Sequence, residues 1–177
     1  MSIQTSFSDF PAVAFAGLLA DGDDHRIYPM VNRDSASMPW GAAVAFKPSA
    51  ATSDQDATLP ANSSDIVAGI LVMSQAYDRT YSLAGGGTGG ELDSTGLVAG
   101  AMLNILREGV VWATCEDGCT AGSSRLWVRY DVGHKGVCRA SDAGGSSSID
   151  CTKQGQWLTT ATAGNLAKLA VNFLAKP

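Results

Sequence analysis

Apolar residues along this chain recur at every second position in several stretches, the spacing that sends alternate side chains to one face of a β-strand. Val67, Gly69, Leu71 and Met73 share one face of such a stretch, and Leu126, Val128, Tyr130 and Val132 share one face of another. Near the C-terminus Ala167, Leu169, Val171 and Phe173 alternate with Lys168, Ala170, Asn172 and Leu174. So little polarity in the second set predicts a strand largely covered on both faces. Residues 41–47 and 109–114 are further strand candidates, the latter containing Val110-Val-Trp-Ala, while 97–106 fits either strand or helix. No window carries a convincing amphipathic-helix pattern of i, i+3 and i+4.

Clusters of Gly, Pro, Ser and Asp at 48–64, 85–90, 118–124 and 140–148 interrupt these stretches and predict loops. Those near 48–64, 77–96 and 139–150 are long for a compact domain and are expected to reach outward. Many short strands separated by turns predict a mainly β fold, a small barrel or sandwich. Residues 1–40 show little alternation and read as an extended N-terminal arm, with 41–177 forming the β domain.

At 177 residues the chain has the length of one domain. Its residues are 45% hydrophobic but only 16% charged, against about 25% charged in typical domains. Such a surface, rich in Ser, Thr, Ala and Gly, is the kind a partner covers. The net charge of −5 and the lack of any Lys or Arg run argue against nucleic-acid and membrane-surface binding. The apolar stretch 11–20 is too short to span a bilayer, and Asp9 stands where a secretory signal needs basic residues. A soluble protein made in the cytoplasm is the expectation.

Candidate chemistry is sparse. Gly85, Gly87 and Gly90 match Gly-x-Gly-x-x-Gly, but the following Glu91-Leu-Asp-Ser-Thr-Gly is a poor helix start and puts acids where phosphate would sit, so a loop tip is the better reading. Of the four cysteines, only Cys115 and Cys119 have the close spacing of zinc ligands. Bridges Cys115–Cys119 and Cys138–Cys151 are one pattern of three, closing only in an oxidising medium; free buried thiols and a metal site stay open beside them. His25 and His134 lie in polar turns without a Gly-x-Ser-x-Gly or His-Glu-x-x-His motif, which favours solvated turns over catalysis. Asp21, Asp23, Asp24, Asp54, Asp56 and Asp65 lack the regular array of a calcium loop. The Asn62-Ser-Ser sequon matters only in a glycosylating route. No catalytic group, cofactor or metal is assigned, and a hydrolase is the weakest of the readings.

Three stretches together resemble the structural cement, or capsid decoration, proteins of tailed bacteriophages. Phe15-Ala-Gly-Leu-Leu-Ala-Asp-Gly, residues 27–32 and Met38-Pro-Trp-Gly-Ala-Ala-Val-Ala-Phe are similar to that family's arm and first strand. Ile66-Val-Ala-Gly-Ile-Leu-Val and Gly100-Ala-Met-Leu-Asn-Ile-Leu-Arg-Glu-Gly-Val-Val-Trp-Ala are similar to its central strands, and Leu158-Thr-Thr-Ala-Thr-Ala-Gly-Asn-Leu-Ala-Lys-Leu-Ala-Val to its last pair. Residues 115–124 and 138–151 depart from the pattern. The resemblance implies a small β-barrel on the outside of an icosahedral shell, locking neighbouring major capsid subunits together, with a homotrimer expected and a homodimer as the alternative.

Under that reading Ile3, Phe7, Phe10, Val13, Phe15, Leu18 and Leu19 are the candidate capsid contacts, since an extended arm can add to a partner's sheet and wrap a wide surface. The rival reading is a receptor- or glycan-binding head on the virion, with Tyr77, Tyr81 and Trp127 as sugar platforms. It leaves the arm without a role.

Overall fold

The computed structural model describes residues 14–20, 24–47, 55–73, 96–144 and 147–174, and among them every regular element is a strand. In chain order these are β1 (Arg26–Asn32), β2 (Ala43–Phe46), β3 (Asp56–Thr58), β4 (Val67–Val72), β5 (Met102–Cys115), β6 (Trp127–Arg129), β7 (Cys138–Arg139), β8 (Ser148–Asp150), β9 (Gly155–Trp157) and β10 (Asn165–Asn172). The sheet order β1-β3-β2-β4-β5 closes on itself because β1 also pairs with β5. The result is a five-stranded barrel, which removes open edges from those strands. The C-terminal half of β5 continues beyond the ring and pairs with β10, which carries β9, while β7-β6-β8 forms a separate small sheet.

Two apolar clusters follow from this layout. Met30, Val44, Ala57, Leu71, Leu103 and Ile105 come from all five barrel strands and fill its interior. Ile70 and Val72 belong instead to a second cluster, with Val111, Leu126, Trp157 and Leu169. That cluster lies between the barrel wall and the outer layer of β5, β6, β9 and β10. Strand β4 therefore has a core on each side, and all six of its residues are buried. A continuous apolar run is what such a strand requires.

Serving two cores needs a phase correction. Val44 pairs with Gly69 and Ala45 with Val67, so Ala68 is bulged out of the β2–β4 ladder. The expected grouping of Val67, Gly69, Leu71 and Met73 on one face is corrected here: Val67 joins Ile70 and Val72 in the second cluster, and Leu71 points with Ala68 into the barrel. A β-bulge inserts one residue and flips every side chain beyond it. Glycine is required next to the bulge, because a Cβ on Gly69 would lie 2.3 Å from the Leu106 carbonyl oxygen.

The segment 1–40, read as arm, contributes a barrel strand. Residues 26–32 form β1, paired with β5 and β3. Its alternation was invisible because its first four residues are exposed. Pro29 is tolerated since β3 reaches only Val31 and Asn32, leaving Pro29 with a single neighbour strand. Buried Asn32 ends the strand, donating to the Leu97 carbonyl at 2.9 Å and accepting from the Asp34 N–H at 2.8 Å.

The expected 48–64 loop likewise contains β3, three residues long, which has no strand signal of its own and is held by neighbours on both sides. Residues 97–106 resolve as a bridge at Leu97, a turn at 99–100 and, from Met102, the start of β5, while β10 buries Ala167, Leu169 and Val171, with Phe173 buried just beyond it. Alternation after β6 stops early: Val132 is 92% exposed, because the chain turns at Asp131. The glycine-rich 85–90 segment lies outside the described residues.

Replacing Gly69 with alanine is expected to cost about 3 kcal/mol through overpacking against backbone that cannot yield. Urea denaturation checks this, and a loss below about 1 kcal/mol would mean that the β4–β5 ladder can shift.

Candidate functional site

Residues 14–20 run antiparallel to the outer half of β5 and are fastened to it by main-chain bonds. The Gly17 and Ala20 N–H groups donate to the carbonyls of Trp112 (2.8 Å) and Val110 (2.9 Å), and the Trp112 N–H donates to the Leu18 carbonyl (2.8 Å). On its other side, the Met73 N–H donates to the Gly17 carbonyl at 2.9 Å. Gly17 has φ +86°, and a Cβ there would stand 3.1 Å from both the Gly41 nitrogen and the Leu71 oxygen. The tight fit explains glycine at this crossing.

This clamp separates the predicted contact residues. Leu19 packs against the second apolar cluster and bridges to Val111, so part of its side chain is covered by the chain's own core. Phe15 and Leu18 remain 37% and 36% exposed, two large apolar side chains on one pinned turn of backbone, where the Leu18 N–H donates to the Phe15 carbonyl. Ile3, Phe7, Phe10 and Val13 lie outside the described residues. Beyond the predicted set, Ile27, Tyr28, Val98 and Met102 add exposed apolar surface near the β1–β5 pairing. Sequence reasoning missed Ile27 and Tyr28 because β1 was assigned to the arm, and Val98 and Met102 because 97–106 fitted either strand or helix.

The tryptophans divide clearly. Trp157 is fully buried, its indole N–H donating to the Arg139 carbonyl at 3.2 Å. Trp40, Trp112 and Trp127 are half-buried, with the Lys168 ammonium 5.6 Å from the Trp112 ring centre. Tyr77 and Tyr81, the other sugar-platform candidates, lie outside the described residues.

The ionisable groups form a brace. Arg129 binds Glu116 (2.6 Å) and, through both Nε and Nη2, Asp131. Arg139 binds Glu116 (3.2 Å) and Asp117 (3.4 Å). Burial alone would raise the Asp117 carboxyl, but the Ala140 N–H, the Ser141 hydroxyl and Arg139 together hold it below the usual carboxylate range. The network ties the turn after β5 to the β6–β7 hairpin. His134 joins its edge, with Nδ1 3.2 Å from Asp131. His25 has a buried Nε2 with no partner among the described residues. Neither ring is bonded to a hydroxyl or thiol there, the contact a nucleophilic mechanism needs.

All four cysteines are buried and held as thiols, so the structure has neither of the two candidate bridges. Each sits in the second apolar cluster. Cys115 interacts with Cys119, and Cys151 with Cys138, which brings the predicted pairs together. Burial pushes the Cys138 thiol up to about 12, and burial with the neighbouring Cys138 and Asp150 does the same for Cys151. Among the described residues no three His, Cys, Asp or Glu side chains converge as metal ligands.

What this geometry offers is a closed barrel, a second layer and a pinned apolar segment. The model of one protein family, "Structural cement protein (E217 gp24/Pam3 gp6)", matches residues 3–172. The chain belongs to that family. A chain in the solved capsid of Myoviridae phage XM1 shares the fold, with a TM-score of 0.63 over 97% of this chain and 98% of that one, at 14% identity. No curated protein matches. This cement protein is therefore a structural component of a bacteriophage virion, all-β as its sequence indicated.

The buried thiols give a pH prediction. Cys138 and Cys151 stay neutral in the folded protein up to about pH 12, whereas in the unfolded chain a thiol ionises near pH 8.5. The unfolded state thus binds fewer protons across that window, and stability falls as pH rises through it. The expected slope is about 1.4 kcal/mol per pH unit for each such thiol, read by denaturation under reducing conditions. Replacing Cys138 by alanine should flatten the slope; an unchanged slope would show that other groups set it.

Proposed function

We infer that this cement protein binds the outer surface of an icosahedral phage capsid and locks neighbouring major capsid subunits together. The observation that carries this reading is the pinned segment 14–20, which holds exposed Phe15 and Leu18 on a backbone already tied to β5 and β4. Immobilising those side chains in advance lowers the entropy lost when a partner covers them. The residues before them, including Ile3 and Val13, extend the contact over the shell. Many copies on one particle add avidity to individually modest contacts. No catalytic step is assigned to the chain, and no nucleic acid or membrane partner is needed. It is made in the host cytoplasm and assembles as a homotrimer over the shell, a homodimer being the alternative symmetry.

Co-sedimentation with expanded, undecorated capsids tests the reading, with unexpanded procapsids as control. Saturable binding to expanded shells, with raised heat resistance of the particles, is the expected result. Binding to neither, combined with saturable binding to host cells, would favour the receptor-binding head instead. Phe15→Ser with Leu18→Ser should weaken shell binding at least tenfold while lowering the melting temperature less than the loss of two core side chains would, because over a third of each residue already meets solvent. Equal losses of binding and stability would assign these residues to the fold.

A further inference from the structure

The barrel and the outer layer do not meet everywhere. Between them lies a groove of about 690 Å³, walled by Phe46 and Ile66 on the barrel side, Ile149 of β8 opposite, and Phe173 and Leu174 after β10. Its volume is in the range of ordinary ligand sites. Ile66 at this groove is 54% exposed, although it flanks the most deeply buried strand. Among the described residues β8 is an edge strand of its small sheet. An open strand edge beside an apolar trough suits an extended peptide, which adds main-chain bonds to the edge and side chains to the trough.

Arg107 gives the groove its specificity. Arg26 pairs with Glu108 and Ile27 with Leu106, so Arg107 is the bulged residue of β5 and is aimed out of the ladder. Its guanidinium lies 5.2 Å from the Tyr28 ring centre and 5.6 Å from that of Phe46, and its Nη2 donates to the Phe173 carbonyl at 2.9 Å. Its Nε has no hydrogen-bond partner, and it forms no ion pair among the described residues. Every other arginine ion pair in that set joins a carboxylate to Arg26, Arg33, Arg129 or Arg139. The acids lining the groove are turned to their own backbone: Asp65 accepts from the N–H groups of Ala61 and Asn62, and Asp150 from that of Thr152. A fixed cation with spare donors in an apolar trough calls for an apolar segment carrying one carboxylate.

The chain contains such a segment outside the described residues. Phe7-Ser-Asp-Phe places two aromatic side chains around Asp9, the one charged side chain among residues 1–20. Followed backwards from Ala20, the pinned segment passes Val110 and then Trp112, away from Arg107 of the same chain. We propose that this groove receives the Phe7-Ser-Asp-Phe segment of a second copy, with Asp9 paired to Arg107 and the two phenylalanines seated against Phe46, Ile66 and Phe173. Each copy then gives an arm and accepts one, a head-to-tail contact that closes as a ring or as a reciprocal pair. Phe7 and Phe10 thereby bind a neighbouring copy rather than the shell. The inference does not require the shell-binding reading.

Sedimentation velocity on the full-length protein, without capsids, tests it. The wild type is expected to self-associate. Phe7→Ser with Phe10→Ser, and separately Ile66→Asp, should each weaken association at least tenfold with an unchanged melting temperature. Should Ile66→Asp lower that temperature, Ile66→Ser takes its place. Mixing the two variants is decisive, since one keeps a groove without an arm and the other an arm without a groove: one-to-one pairs should form although each alone is monomeric. A monomeric wild type, variants that associate like the wild type, or a mixture that stays monomeric overturns the proposal. Intact self-association with no binding to shells would instead remove the shell-binding reading and leave this one standing.

Discussion

The hydrogen-bond ladder of β5 runs for fourteen residues, far beyond the wall of the barrel it helps to close. Its first half pairs with β1 on one side and β4 on the other; its second half pairs with β10 and with the segment 14–20. A strand in a regular ladder presents one face to one core throughout. Here the bulge at Arg107 changes the phase, so Leu103 and Ile105 face the barrel interior while Val111, Ala113 and Cys115 face the outer cluster. Without that extra residue, one of the two cores would lose its half of β5.

Strand β4 meets the same constraint from the other side. Lying between both cores, it has no solvent face and needs a bulge of its own, next to Gly69, where a Cβ would collide with the Leu106 carbonyl of β5. The two bulges together couple barrel and outer layer into one unit. The pinned segment gains from this coupling, because it bonds at once to Trp112 on β5 and to Met73 at the end of β4. Phe15 and Leu18 are therefore displayed on a support that the whole fold holds rigid. The ion-paired brace around Arg129 and Arg139 plays the corresponding part at the far end of β5.

Much of the fold was legible because its long strands obey simple alternation. β10 and the run 110–113 were read correctly from side-chain pattern, and the absence of any helical period pointed to an all-β chain. The arm was legible only in part. Leu19 and Leu18 are adjacent and equally apolar, yet one is partly covered by the core and the other is exposed, a distinction set by the register against Val111. The cysteines show the same division: their spacing suggested the pairs that do lie together, while their shared burial as thiols came from the packing of the outer layer.

Composition and period thus determined, by themselves, that this chain builds strands and covers itself with few charges, while the likeness to capsid cement proteins rested on the resemblance of three particular stretches. Those properties are local, being read one residue or one strand at a time. Barrel closure by β1, the insertion of β3, the phase shifts at Ala68 and Arg107 and the groove beneath Ile66 were decided only in three dimensions. Each depends on which strand lies beside which, and pairing between residues remote in sequence leaves no periodic trace in either partner alone.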